Sequence, residues 1–215
     1  IETKALCRDL LSHSNINLIL SSKIEKIGTD IDSHKILVKE EVYEYEEVCL
    51  CAGHASEELL NLPGLSPKRG QISYVDSSKD FEKLKFPICA SGYFSPKVKG
   101  SHVLGSSYSD IKNDIVLEDE HADNLKKLKA IHDFNVNIHD GNVGFRAVTK
   151  DRLPLIGSDK GIYVNTGHGS RGSTSSPLCA EIIADLIDNR PLPVDHEVAI
   201  ALDVNRFNEN LKQRL

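Results

Sequence analysis

The chain has 215 residues, enough to bury a substantial core, and at 40% hydrophobic and 27% charged residues it has the composition of an ordinary globular protein. A formal net charge of −6 argues against a general nucleic-acid-coating protein, and no apolar run reaches the roughly 18 residues of a membrane-spanning helix. Met is absent, even at position 1, and the N-terminus carries no signal-peptide pattern, so the expectation is a piece of a longer, cytoplasmic protein with no membrane association.

In chain order, residues 2–13 read as a helix with Leu6, Leu10 and Leu11 on one face. INLIL (16–20) fits a short buried strand, and the alternating segments over 24–53 fit a small β-meander. That stretch ends in VCLCAGH, where Cys49 and Cys51 share one face of a strand and Gly53 marks a corner before a helix over 56–62. The corner reads equally as a plain strand-to-helix turn. The five cysteines form no CxxC pattern and are expected to be free, buried thiols.

LPGLSPKRG (62–70) is turn-rich and reads as a domain crossing, with a strand starting at Gly70. Short strands follow around 87–90, 92–96 and 101–108, then a helix over 118–132 with Leu125, Leu128 and Ile131 on one face. NVGFRAVTKDRLPLIG (142–157) reads as strand, loop, strand, and GIYVNTG (161–167) as a strand ending in glycines. A helix is expected from Pro177 to about Asp188, capped by Ser176 and stopped by Pro191 and Pro193, with a short surface helix in the tail 203–215. The Lys83, Lys85, Lys97, Lys99 and Lys126, Lys127, Lys129 clusters read as solvated faces or as local basic patches.

Chemistry concentrates in four places. Gly167-His168-Gly169-Ser170-Arg171-Gly172 matches GxGxxG by letters, after a strand and before a helix. A Rossmann fingerprint needs the helix to open within the glycines and a parallel strand to follow, and neither is expected here. What remains is a loop presenting backbone N–H groups and a positive helix end, suited to a phosphate or an electron-rich ligand edge, or simply a tight loop. Arg146 follows a Gly-Phe pair on a strand and is either a surface residue or a bidentate carboxylate clamp. The Ala52-Gly53 corner and Arg69-Gly70-Gln71 complete the set. The nine histidines have no metal spacing, and there is no Walker loop or nucleophile elbow.

Taken in order, VCLCAGH, LPGLSPKRGQIS, VGFRAVTKDRLPLIG and GIYVNTGHGSRGSTSSPLCAEIIADLI resemble the D-amino-acid-oxidase-like family of FAD-dependent amine oxidoreductases. The GHGSRG-x-TSSPL run, with RxxTxDxLPxxG before it, looks most like the branch that modifies the wobble uridine of tRNA, where an upstream methyltransferase domain precedes the oxidoreductase. The resemblance implies a mixed α/β (α+β) fold: the C-terminal part of a glutathione-reductase-like FAD domain plus a mixed-sheet substrate domain. It divides the chain into an FAD-domain portion with the meander (1–62), a substrate domain (63–142) and a second FAD-domain portion (143–215), with Arg69, Gly70 and Gln71 at the crossing.

It further implies that Ala52, Gly53, Gly157 and the loop Gly167, His168, Gly169, Ser170, Arg171, Gly172, Ser173, Thr174 bind FAD. Arg146 would face the substrate carboxylate, with Arg171 and Tyr93 as further catalytic-site residues, and the positive end of the last long helix would point at the flavin pyrimidine. The implied reaction oxidises a carboxymethylaminomethyl group on the tRNA wobble uridine to aminomethyl, with O₂ reoxidising the flavin. The open alternatives are a small-molecule amine or amino-acid oxidase, such as a glycine oxidase, and a piece acting only as a binding module. Two departures from the family pattern are Ser173, where an apolar residue is expected, and the lack of the N-terminal strand, GxGxxG turn and helix that hold the FAD diphosphate.

Overall fold

A computed structural model describes residues 2–29, 33–79, 81–130 and 135–208. The chain divides into two compact units, 1–48 and 49–215. The first contains helix α1 (Thr3–Leu11) and the antiparallel meander β1 (Lys26–Thr29), β2 (His34–Val38) and β3 (Glu41–Tyr45). Alternation of apolar and charged residues, with a tight turn at Lys39-Glu40 between β2 and β3, forms this ribbon as the sequence suggests.

The apolar run 16–20 does not form a strand. Ile16, Leu18, Ile19 and Leu20 are exposed, and Ile19 lines a hollow against Ile36, Val38 and Tyr43 of the meander. A strand needs a neighbour to take its N–H and C=O groups, and hydrophobicity alone does not supply one.

The second unit carries two sheets. In the first, β10 (Leu155–Asp159) pairs antiparallel with β11 (Ile162–Thr166), which pairs parallel with the two-residue β4 (Cys49–Leu50). Helix α4 (Gly172–Ile187) packs on β10 and β11, where Cys179, Ile182 and Ile183 meet Ile156 and Leu202 of α5 (His196–Leu202).

The second sheet runs β6 (Ile88–Cys89), β7 (Tyr93–Phe94), β8 (His102–Gly105), β5 (Leu65–Val75), β9 (Ile138–Thr149). All four of its pairings are antiparallel, so this sheet is not mixed; parallel pairing occurs only at β11–β4 among the described strands. Helix α3 (Glu118–Lys129) covers one face, where Leu128 joins Val75, Phe81, Phe94 and Leu104.

Several boundaries differ from expectation. β5 begins at Leu65 and runs through Pro67 and Gly70, so Arg69 is a strand residue and not part of a loop. An eleven-residue pairing with β9 overrides the local turn composition. α4 opens at Gly172, five residues before Pro177: the N–H groups of Thr174 and Ser175 both donate to the Arg171 carbonyl, closing a turn ahead of the proline. Pro177 therefore lies inside the helix, and Ser176 does not cap it. The tail has α5 at 196–202, followed by turns to Asn208; Ile131 and residues 209–215 lie outside the described residues.

Only Cys179 is buried, and Cys7, Cys49, Cys51 and Cys89 are exposed. At β4 the reason is alternation. Leu50 takes the inward position and is 3% exposed, which turns both flanking cysteines outward.

Candidate functional site

The five-stranded sheet has two unlike faces. Strand alternation puts Arg69, Gln71, Ser73 and Val75 on the face covered by α3, and Lys68, Gly70, Ile72 and Tyr74 on the other. Register carries the second set onto β9 as Arg146, Gly144 and Asn142, and through Gly105 of β8 to Tyr93 of β7. This second face is floored by Gly70, Gly144 and Gly105, and the Tyr93 ring lies against Gly105.

Arg146 occupies the centre of this basin. Its guanidinium lies directly over Gly70, where a Cβ would come within 2.1 Å of Nη1, so glycine is required for the side chain to lie flat on β5. Nη2 donates to the Ser106 hydroxyl at 2.6 Å. Nη1 is buried and has no partner among the described residues. Burial raises the Tyr93 phenol, partly opposed by the positive charge of Arg146. A guanidinium N–H without an acceptor, beside a neutral phenol on a glycine floor, is arranged to receive an anionic oxygen.

The glycine loop adjoins the end of β9. Gly169 N–H donates to the Ala147 carbonyl at 2.8 Å, one residue beyond Arg146, and Val148 bridges to His168. Gly167 has φ +78°, and a side chain there would strike Thr149. His168 is tied at both ring nitrogens, Nδ1 to Ser175 at 2.8 Å and Nε2 to Asn165 at 2.8 Å, and burial lowers its pKa. These two bonds pin the loop between β11 and α4.

The loop borders a cleft of about 410 Å³, lined also by Tyr108, Val148 and Arg152. Arg171, at the N-cap of α4, makes no side-chain cap bond, so the leading N–H groups of this long helix are not taken by a capping side chain. The Ala52-Gly53 corner reaches the same place, because the Thr166 hydroxyl donates to the Gly53 carbonyl at 2.9 Å, one residue before Gly167.

Not all the expected residues converge. Arg171 Nη2 donates to the Arg152 carbonyl at 3.1 Å, which aims the side chain at the rim of the cleft. Ser173 and Thr174 are exposed on the first turn of α4. Gly157 lies on β10 and lines a separate groove of about 670 Å³ with Ile182, Leu186 and Ile200. The helix does open within the glycine run, which the position of Pro177 had argued against, but among the described residues no further sheet strand follows α4 to complete a βαβ unit.

Sequence reasoning missed Ser106, Tyr74, Tyr108 and Arg206. Arg206 forms a bidentate pair with Asp151, Nε to Oδ2 at 2.8 Å and Nη2 to Oδ1 at 2.9 Å, and these bonds hold the Asp151 carboxyl down at about 2. It also donates to the Leu153 and Pro154 carbonyls, stapling the end of the chain to the turn that precedes β10. No local signal marked it, since its partners lie about fifty residues upstream.

The model of the family described as FAD dependent oxidoreductase matches residues 3–186. The chain belongs to that family. FAD is accordingly its cofactor. Among curated relatives, it is 30% identical over 250 residues to the tRNA 5-methylaminomethyl-2-thiouridine biosynthesis bifunctional protein MnmC of Pseudomonas syringae pv. syringae (strain B728a), covering 96% of this chain and 37% of that protein. It is 32% identical over 246 residues to the protein of the same name from Stutzerimonas stutzeri (strain A1501), covering 94% of this chain and 37% of the relative. The chain thus spans little more than a third of these relatives' length. Among solved structures, glycine oxidase from Geobacillus kaustophilus superposes with a TM-score of 0.73 at 20% identity, over 89% of this chain and 54% of the other. Iminodiacetate oxidase from Chelativorans sp. BNC1 gives 0.68 at 19% identity, over 80% and 51%. At these identities the structures establish the fold.

Proposed function

We propose that this chain is the substrate-binding and flavin-facing part of an oxidoreductase that converts the carboxymethylaminomethyl group of a tRNA wobble uridine to aminomethyl. The observation that carries the reading is the unpartnered, buried Nη1 of Arg146, which lies on an open glycine floor beside Tyr93 and one residue from the loop-anchoring Ala147. The names of the curated relatives, which place them in tRNA 5-methylaminomethyl-2-thiouridine biosynthesis, support tRNA as the substrate class, and an upstream methyltransferase domain in the parent protein is part of this proposal. A cytoplasmic location of the parent belongs to the same proposal; among the described residues no helix is long and apolar enough to cross a membrane. The division into FAD-domain portions 1–62 and 143–215 around a substrate domain 63–142 belongs to this proposal.

The residues present fit part of an FAD site. The loop from Gly167 through Arg171 lines a cleft with Arg152 at its rim and runs into an uncapped helix start, and the Ala52-Gly53 corner is tied to Thr166, the residue that leads into the loop. These residues would hold the cofactor. FAD, when bound, supplies a two-electron, hydride-accepting oxidant. Arg146 would bind the substrate carboxylate through Nη1 while Ser106 holds Nη2, fixing the rotation of the guanidinium. Tyr93, held neutral by burial, would close one side of the basin and donate to the same carboxylate. Arg171 would steer anionic substrate from the cleft rim. The net chemistry takes the N–CH₂–COO⁻ arm and water to glyoxylate and a primary amine, with two electrons passing to the cofactor.

The fold shared with glycine and iminodiacetate oxidases is compatible with a second reading, a small-molecule amine oxidase, in which Arg146 would keep the same role. The parent protein, loaded with FAD under anaerobic conditions, separates the two. Bleaching of the flavin band by tRNA bearing the carboxymethylaminomethyl group, and not by glycine or sarcosine, supports the tRNA reading. Bleaching by the free amino acids alone overturns it. tRNA binding with no bleaching by any substrate would reduce the chain to a binding module.

A further inference from the structure

The oxidation proposed above makes no use of Cys49 and Cys51, and the inference about them does not rest on it. Their sulfurs are 3.6 Å apart, and both side chains are exposed on the outer side of β4. Cys7 and Cys89 are also exposed, whereas Cys179 is buried in the core under α4. The hydrogen bond from Cys49 brings the Cys51 thiol down to about 7 against the upward push of burial, and it raises Cys49 as the proton donor. The two sulfurs therefore divide the roles that thiol oxidation needs. Cys51 carries the thiolate near neutral pH, and Cys49 keeps its proton within reach of it.

We infer that Cys49 and Cys51 form an oxidisable dithiol, a modification site at which a hydroperoxide closes an intrachain disulfide and small thiols reopen it. The Cys51 thiolate attacks the terminal peroxide oxygen. The O–O bond breaks, the departing oxygen takes up a proton as water or alcohol, and Cys51 becomes a sulfenic acid. Cys49 sulfur then attacks Cys51 sulfur. The S–S bond forms, the S–O bond breaks, and the hydroxyl leaves with the Cys49 proton as water. The sulfurs together lose two electrons and the peroxide gains two.

The sulfurs must close from 3.6 Å to about 2.05 Å, and β4 offers little resistance because only Cys49 and Leu50 pair, with Tyr163 and Val164 of β11. A bridge between residues two apart encloses a small ring, and such strained, exposed disulfides are the readily reduced ones, which suits a reversible mark. The backbone it would grip runs directly into Ala52 and Gly53, whose carbonyl accepts the Thr166 hydroxyl.

The test treats the reduced, full chain with hydrogen peroxide and follows tryptic peptide 40–68, which contains both of these cysteines and no other. The expected result is loss of two hydrogens' mass from that peptide, resistance to iodoacetamide and full recovery with dithiothreitol, roughly tenfold faster than Cys7 or Cys89 reacts. In Cys49→Ser, Cys51 should stop at the sulfenic acid and be captured by dimedone. Independent addition of oxygen to each cysteine, or disulfides only between copies of the chain, would overturn the inference, and the unsubstituted chain alone decides between these outcomes.

Discussion

Arg69 and Arg146 stand on neighbouring strands of one sheet, at adjacent positions in the register, and face opposite ways. Arg69 is 1% exposed, pairs with Glu120, and donates to the carbonyls of Asn113 and Ile115 and to Gln71. Glu120 in turn accepts from Ser107 and Ser109; burial would raise its pKa, but these bonds and the Arg69 charge outweigh it and keep the carboxyl below its usual value. Arg146 has Ser106 and an orphaned Nη1. A guanidinium whose three nitrogens all have acceptors is held by the fold, and one left with a buried, unpartnered nitrogen over a glycine floor is available to a ligand. The same residue type is thus structural on the face closed by α3 and, on the open one, is the residue we propose binds the ligand.

The largest effect should come from breaking the closed face. Glu120→Ala leaves Arg69 buried without its counterion and should cost about 3–5 kcal/mol of unfolding free energy, read as a shift of the urea midpoint. An unchanged midpoint would show that the network is not structural. On the open face the sign should reverse. Arg146→Met removes a buried donor that lacks a partner, so the chain should keep its stability or gain up to about 1 kcal/mol, while affinity for carboxylate-bearing substrate falls at least roughly tenfold. A loss of stability as large as that of Glu120→Ala would erase the contrast between the two faces.

Gly70→Ala sharpens the comparison. The new Cβ meets only the mobile end of Arg146, so the stability change should stay below about 1 kcal/mol while substrate affinity falls with the displaced guanidinium. Equal affinity in this variant would show that Arg146 need not lie on the strand. The smallest effect concerns Asp151 and Arg206, a third arrangement in which arginine closes the chain end at the surface. The folded pKa of Asp151 is depressed to about 2, below the ordinary aspartate value, so its contribution is present above about pH 4 and is lost as pH falls through 2. Arg206→Met should remove that part of the acid dependence, measured as urea midpoints between neutrality and low pH.

Much of the architecture is legible locally. The meander, α3, the β10–β11 hairpin and the glycine loop follow from alternation, helical spacing and turn residues. The failures share one cause, pairing between distant segments. Pro67 and Gly70 read as turn residues, yet β9 holds them in one long strand. INLIL reads as a strand, yet among the described residues no neighbour pairs with it. Arg69 and Arg146 are indistinguishable as letters on strands, because only register and the arrival of Glu120 from α3, 51 residues away, decide which one is satisfied. The resemblance pointed to Arg146, and Gly70 and the unpartnered Nη1 support keeping it as the proposed carboxylate-binding residue.

The most direct test of the account is anaerobic reduction of the FAD-loaded parent protein by its carboxylate-bearing amine and by the same amine lacking the carboxylate, in wild type and Arg146→Ala. The account predicts that the variant needs at least roughly tenfold more of the carboxylate substrate for half-maximal reduction, with no change for the decarboxylated analogue. Equal saturation curves for the carboxylate substrate in the two proteins would contradict it.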